Sequence, residues 1–323
     1  MSTEGGTKAV LAALAANIGV AIAKFVAWAV TGSSSMLTEG IHSVADSANQ
    51  VLLLIGKKRS ERERDAEHPF GYGRLRYVYA FLVAIVLFLV GGVFSLYEGW
   101  HKIQHPEELN DPIVAFVVLG VAIVLEGLSL RTAFREANRS RGRRSVFGFV
   151  RHTRNPELPV ILLEDTGAVI GLAFATFGVT MATITGNGRW DGVGAAAVGV
   201  LLIIIALFLA AEVSSLLTGE GALPEQVVAI THALSDTDGV DRVIHMRTLH
   251  LGPDDLLVAA KIAVTATDRA DEVAAIIDRA ERSVRAALTS LDCVVYLEPD
   301  IYDPARAPES PEGGEGGPAS SEA

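Results

Sequence analysis

The sequence has one cysteine, Cys293, in 323 residues. No internal disulfide is possible, and a reducing compartment suits the segment that carries it. Charge is scarce as well, at 20% of residues. No basic stripe interleaved with aromatic residues runs along the chain, which argues against a nucleic-acid partner. The formal charge of −11 arises mostly in the C-terminal third. No nucleophile–base pair and no phosphate-binding glycine loop is visible, so an enzyme is not expected. A cleavable signal peptide is not expected either. The start, MSTEGGTKAV, has a single lysine and runs into an apolar block too long for a signal core, with no small-residue cleavage site after it.

What the chain has in excess is apolar sequence: 50% of residues, with a mean hydropathy of +0.36. The excess is gathered into six blocks, about 9–30, 35–56, 78–99, 112–131, 159–182 and 191–214. Each reaches the roughly 20 residues that a membrane-spanning helix needs. A soluble bundle of amphipathic helices does not fit, because four of the blocks show almost no polar face. The connections set the orientation. Residues 57–76 hold seven Lys or Arg, and 131–154 hold eight arginines. The short connections 31–34, 100–111 and 183–190 hold at most one Lys or Arg each. Basic loops stay cytoplasmic, so both basic loops and both termini are expected inside.

The second and fifth blocks are weak by hydropathy because they carry ionisable residues. The second reads SSSMLTEGIHSVADSANQVLLLIG, with Glu39, His42, Asp46 and Asn49. His42 and Asp46 lie at i and i+4, on one face of a helix. The fifth reads LPVILLEDTGAVIGLAFATFGV, with Glu164 and Asp165. Imidazole and carboxylate are costly in hydrocarbon unless they meet a partner, an ion or water. Two such helices packed together would build an oxygen- and nitrogen-rich cage for a divalent metal. With no sulfur ligand, the donor set suits Zn²⁺, Fe²⁺ or Mn²⁺ rather than Cu⁺.

After about residue 216 the texture changes. EQVVAITHALSD has helical spacing, and VDRVIHMRTLHLG and DDLLVAAKIAVTA read as strands. RADEVAAIIDRAERSVRAALTSL is a strongly periodic helix, and DCVVYLEPD a final strand. The order α-β-β-α-β makes a small two-layer domain. The segment RAPESPEGGEGGPASSEA has nothing to bury and is expected to be disordered. The expected fold is therefore an α-helical membrane protein with six transmembrane helices plus a small cytoplasmic α-β-β-α-β domain. Its divisions are 1–216 in the membrane, 217–303 as the cytoplasmic domain and 304–323 as a disordered tail.

LTEGIHSVADSANQ in the second span and EHPFGYGRLRYVYAF at the start of the third, with six spans and an α-β-β-α-β tail, resemble the cation diffusion facilitator family. The fifth span, VILLEDTGAVIGL, followed by TITGNGRWDG, is similar to the zinc transporter 9-like branch. The resemblance implies proton-coupled efflux of a divalent cation, Zn²⁺ first and Mn²⁺ or Fe²⁺ as alternatives. It also implies a homodimer in the inner (plasma) membrane. The cation is cargo, and no resident cofactor is implied. A membrane scaffold that binds metal without moving it is the alternative from another class.

The family's transport site takes two side chains from the second span and two from the fifth. His42, Asp46 and Asp165 match three of these positions, and Ile161 stands where the fourth belongs. Glu164 is the substitute at hand, about 100° around the helix from Asp165. Glu39, a turn before His42, would lie nearer the extracellular end, with a vestibule acid that attracts cations as the lesser of its readings. Asp65 and His68 match two residues of a cytoplasmic loop site whose third place is Tyr72. In the tail, His245 matches a metal position, while Lys261 and Tyr296 stand at two others. That pattern implies a tail kept for dimer packing with its metal sensing weakened. Arg74 matches a residue that pairs with an acid near the end of the sixth span, for which Glu212 and Glu220 are the candidates.

Overall fold

A computed structural model of the protein describes residues 3–303 apart from 108 and 143, with side chains from residue 17 onward. The disordered segment expected over 304–323 lies outside the described residues. The chain divides into two compact units. One runs to Glu220 and includes His250–Asp254, and the other comprises Gly221–Leu249 and the chain from Asp255.

The first unit is helical. Its elements are α1 (Thr3–Thr31), α2 (Ser34–Ser60), α3 (Leu75–Val86), α4 (Phe94–Gln104), α5 (Pro112–Ser140), α6 (Val146–His152), α7 (Glu157–Thr185) and α8 (Arg189–Thr218). A π-helical stretch, Leu87–Val93, joins α3 to α4, so the three form one rod of 30 residues. That rod, α5, α7 and α8 are each long and apolar enough to cross a membrane. α1 is apolar over Asn17–Thr31, and α2 falls short through its polar residues. These are the six expected spans. Ile113, Val117, Val121 and Val124 of α5 face outward. Such a band belongs in lipid rather than water.

Two devices fix how the spans pack. At the start of α2, Asp191 of α8 accepts hydrogen bonds from Ser33 Oγ at 2.7 Å, Ser34 N at 2.6 Å and Ser35 N at 3.3 Å. A carboxylate on free N–H groups at a helix start satisfies donors and complements the helix dipole. It ties the register of α2 to α8, and with it the height of His42 and Asp46. The second device is a close crossing of α4 and α8. A Cβ on Gly99 would stand 2.4 Å from Ala196 N, and one on Gly199 would stand 2.5 Å from Leu96 N. Only glycine permits backbones to approach so closely, as is common between membrane helices.

The basic connection 131–154 differs from a plain loop. α5 continues to Ser140, and α6 follows with Ser145 accepting from Gly148 N as its cap. Ala133 and Ala137 pack with Phe149, Val150 and Leu162. The apolar residues hidden among the arginines thus pack this segment against α7.

The second unit follows the expected order: α9 (Pro224–Ser235), β1 (Arg242–His250), β2 (Asp255–Ala263), α10 (Ala270–Ala287) and β3 (Asp292–Asp300). The sheet order is β1-β2-β3, with β2 and β3 parallel from Asp255↔Asp292 to Ala263↔Asp300. Leu256, Val258 and Ile262 alternate inward along β2, meeting Ile276, Ala280 and Val284 of α10 and Ile230 and Leu234 of α9. Cys293 belongs to this core. Burial pushes its thiol up from its ordinary range, as expected of a structural rather than a reactive cysteine.

Candidate metal centre

Within the membrane unit a small cavity lies between α1, α2, α5 and α7. Its space is about 20 Å³, room for one water-sized occupant. Asp46, Ser43 and Gln50 border it from α2, and Ile161, Glu164 and Asp165 from α7. Asn17 of α1 and Glu126 and Ser129 of α5 complete the lining.

Glu164 and Asp165 share this cavity although α7 is an unbroken helix. Ile161, one turn earlier, lies at i−3 from one and i−4 from the other, so it marks the direction midway between them. The cavity sits over that direction, and the adjacent acids flank it without any rotation or loosening of the helix. Each is held by a different neighbour. Asn49 Nδ2 donates to Glu164 Oε1 at 2.6 Å, and Ser129 Oγ donates to Asp165 Oδ2 at 2.8 Å. Glu164 is buried and Asp165 half-buried.

His42 occupies a different place from the one expected of it. It is not among the residues that line the cavity, and its Nε2 lies 3.5 Å from Asp46 Oδ2. It is only 1% exposed, and neither ring nitrogen has a hydrogen-bond partner among the described residues. Among the described residues, no three His, Cys, Asp or Glu side chains are drawn together tightly enough to hold an ion as they stand.

Glu39 is closed off by a partner on α1. It is fully buried, and Lys24 Nζ reaches from α1 to its Oε2 at 2.9 Å and to Ser43 Oγ at 2.8 Å. Glu39 Oε1 lies close over Gly171 of α7, where a Cβ would come within 3.0 Å. The hydropathy pattern hid this pair because a single lysine barely lowers the score of the first block. Glu126 was missed for the same reason, as a lone acid in VAIVLEGLSL. An ionisable residue inside a span is itself the signal that would have found both.

A model described as the cation efflux transmembrane domain matches residues 10–218, and one described as the cation efflux protein cytoplasmic domain matches 222–300. The chain belongs to the cation efflux family. It is 34% identical over 251 residues to the mouse "Proton-coupled zinc antiporter SLC30A9, mitochondrial", covering 77% of this chain and 44% of that protein. It is 29% identical over 264 residues to Arabidopsis thaliana "Metal tolerance protein C4", covering 81% and 58%. With the Serratia proteamaculans "Cation-efflux pump FieF" it shares 31% over 248 residues, covering 76% and 77%. The chain thus spans less than half the length of the mammalian antiporter it matches. The similarity to the zinc transporter 9-like branch agrees with these relatives.

The two other places where the resemblance implied metal are organised differently in this cation efflux protein. In the loop after α2, Asp65 Oδ1 accepts the backbone N–H groups of Glu67 at 3.1 Å and His68 at 2.8 Å. Tyr72 donates its hydroxyl to Oδ2 at 2.5 Å. The Tyr72 bond, with that of His68 behind it, holds the Asp65 carboxyl below its usual range. Both oxygens are engaged in shaping a turn. On the open face of the sheet, His245, Lys261 and Tyr296 border one shallow hollow of about 260 Å³. Lys261 Nζ binds Asp300 Oδ2 and Glu298 Oε1, each at 3.0 Å. These bonds push the Lys261 ammonium up from its ordinary range. A fixed positive charge at this point opposes a metal ion. Glu220, a candidate partner for Arg74, is taken by Arg154 and by Ser215 Oγ at 2.5 Å.

Proposed function

We propose that the protein exports a divalent metal cation, Zn²⁺ first, from the cytoplasm in exchange for protons. The observation that carries this reading is the placing of Asp46 from α2 and Glu164 and Asp165 from α7 around one ion-sized cavity within the membrane-spanning bundle. Carboxylate oxygens bind a divalent cation when deprotonated, so metal and protons compete for the same atoms. That competition is the least a site needs for antiport. Side-chain rotation on these helices would bring the oxygens onto one ion, with His42 adding a nitrogen as it swings past Asp46. Asn49 and Ser129 orient Glu164 and Asp165 and so set which oxygen of each is presented. The names of the mammalian and bacterial relatives support zinc antiport and cation efflux.

The basic segments 57–76 and 131–154 support a cytoplasmic face for both termini. A plasma-membrane location is part of this reading, although the mammalian relatives are named as mitochondrial, and the match to the family's cytoplasmic domain supports a homodimer. A second reading, a Mn²⁺ or Fe²⁺ exporter, is favoured by one feature: the polar groups that line the cavity are carboxylates, hydroxyls and amides, and His42 is not among them. Harder ions prefer such a set.

The test is flux in proteoliposomes with Zn²⁺, Mn²⁺ and Fe²⁺ across an imposed pH gradient. Metal movement driven by the proton gradient is expected, and loss of at least about 99% of it in Asp46→Ala, since a lost ligand should cost no less than the roughly 100-fold of an outer-shell change. Absence of flux with all three metals, or near-normal flux in Asp46→Ala, would overturn the reading.

A further inference from the structure

Glu126 lies in the fourth span, where neither sequence pattern nor resemblance gave α5 any part in the site. It is partly buried and borders the cavity together with the acids of α7. It makes no hydrogen bond or ion pair among the described residues. An acid inside a span with no partner is costly, and it persists where it can meet a cation or water. One turn along the same face of α5, Ser129 donates to Asp165 Oδ2 at 2.8 Å. That face is therefore already part of the site's scaffold.

A second observation concerns the imidazole next to Asp46, just outside the cavity's lining. His42 is 1% exposed, and both of its ring nitrogens lack a hydrogen-bond partner among the described residues. A buried imidazole left without partners is a donor group in waiting, and it stands 3.5 Å from the Asp46 that lines the same cavity.

Ile161 lies midway between Glu164 and Asp165 on the cavity wall and offers no ligand. We propose that Glu126 is a metal ligand, so that the fourth span supplies the carboxylate that the fifth lacks at Ile161. The cation is then held by three helices instead of two. The ligand class is a divalent cation that accepts several carboxylate oxygens, which includes Zn²⁺ and Mn²⁺. This inference rests on the transport-site reading above.

The experiment is calorimetric titration of Zn²⁺, and separately Mn²⁺, into the full chain in detergent micelles, for wild type and Glu126→Gln. Metal-free thermal melting is measured on both proteins. Because Glu126 makes no internal bond, the substitution should leave metal-free melting unchanged. Affinity should fall at least about tenfold, the lower end of what loss of even an outer-shell partner costs. Unchanged affinity would overturn the inference, and so would weakening matched by a fall in metal-free melting, which marks a merely structural role. A wild-type protein that binds neither metal would overturn the transport-site reading itself, a result distinct from either.

Discussion

Lys24 and Glu39 are both fully buried, and they join α1 to α2 one turn before His42. Breaking a buried ion pair by removing one partner leaves an uncompensated charge and costs about 3–5 kcal/mol, whereas replacing both by apolar groups can be neutral. Lys24→Met should therefore lower the melting temperature of purified protein markedly. Lys24→Met combined with Glu39→Leu should recover most of that loss. A single variant as stable as wild type would show that the pair contributes nothing to holding α1 against α2. The comparison also separates structure from transport, since the double variant keeps Asp46, Glu164 and Asp165 while removing the charges beside them.

At the scale of elements, the α4–α8 crossing depends on having no side chain between the backbones. Gly99→Val would force α4 off α8, because even a Cβ there meets Ala196 N and Gly192 O at 2.4 and 2.7 Å. Overpacking a tight contact costs about 1–3 kcal/mol or more. A lowered melting temperature and reduced yield of folded protein are expected in detergent, and Gly120→Val, where nothing lies within 4 Å, should be tolerated.

The elements themselves were largely legible. Apolar block length marked the spans, because lipid demands it, and alternation and helical period marked β2 and α10. The close crossing was not legible, since small residues are common in spans and only packing shows which ones touch. The metal centre divided the same way. Asp46, Glu164 and Asp165 announced themselves as acids in weak blocks. Glu126 and Lys24 were masked by the strongly apolar residues around them, and the place of His42 next to Asp46 but outside the cavity's lining depends on side-chain packing that spacing on one helix cannot reveal.

The molecule as a whole comprises two units with separate cores, and the second has a sheet whose open face carries Tyr296, His245 and Lys261. Tyr296 is 59% exposed, a large aromatic surface suited to contact with a second copy. A chain ending at Glu220 should therefore fold its membrane helices but dimerise more weakly, as measured by light scattering in detergent at several concentrations. A truncated chain that stays fully dimeric would place the interface in the spans. Lys261→Ala should leave the sheet folded, because its partners Glu298 and Asp300 are exposed and such pairs contribute only about 0–1 kcal/mol.

The π-helical stretch over Leu87–Val93 has a consequence for chain length. A wide turn takes up about one more residue than an α-turn would, without re-facing the helix on either side. The third span can thus lose one residue there and keep Tyr77 toward the core and Gly99 against α8. A deletion anywhere else between them would turn one end by about 100° relative to the other. The wide turn is the rod's single point of slack, and the phase between its two ends is set by how that slack is taken up.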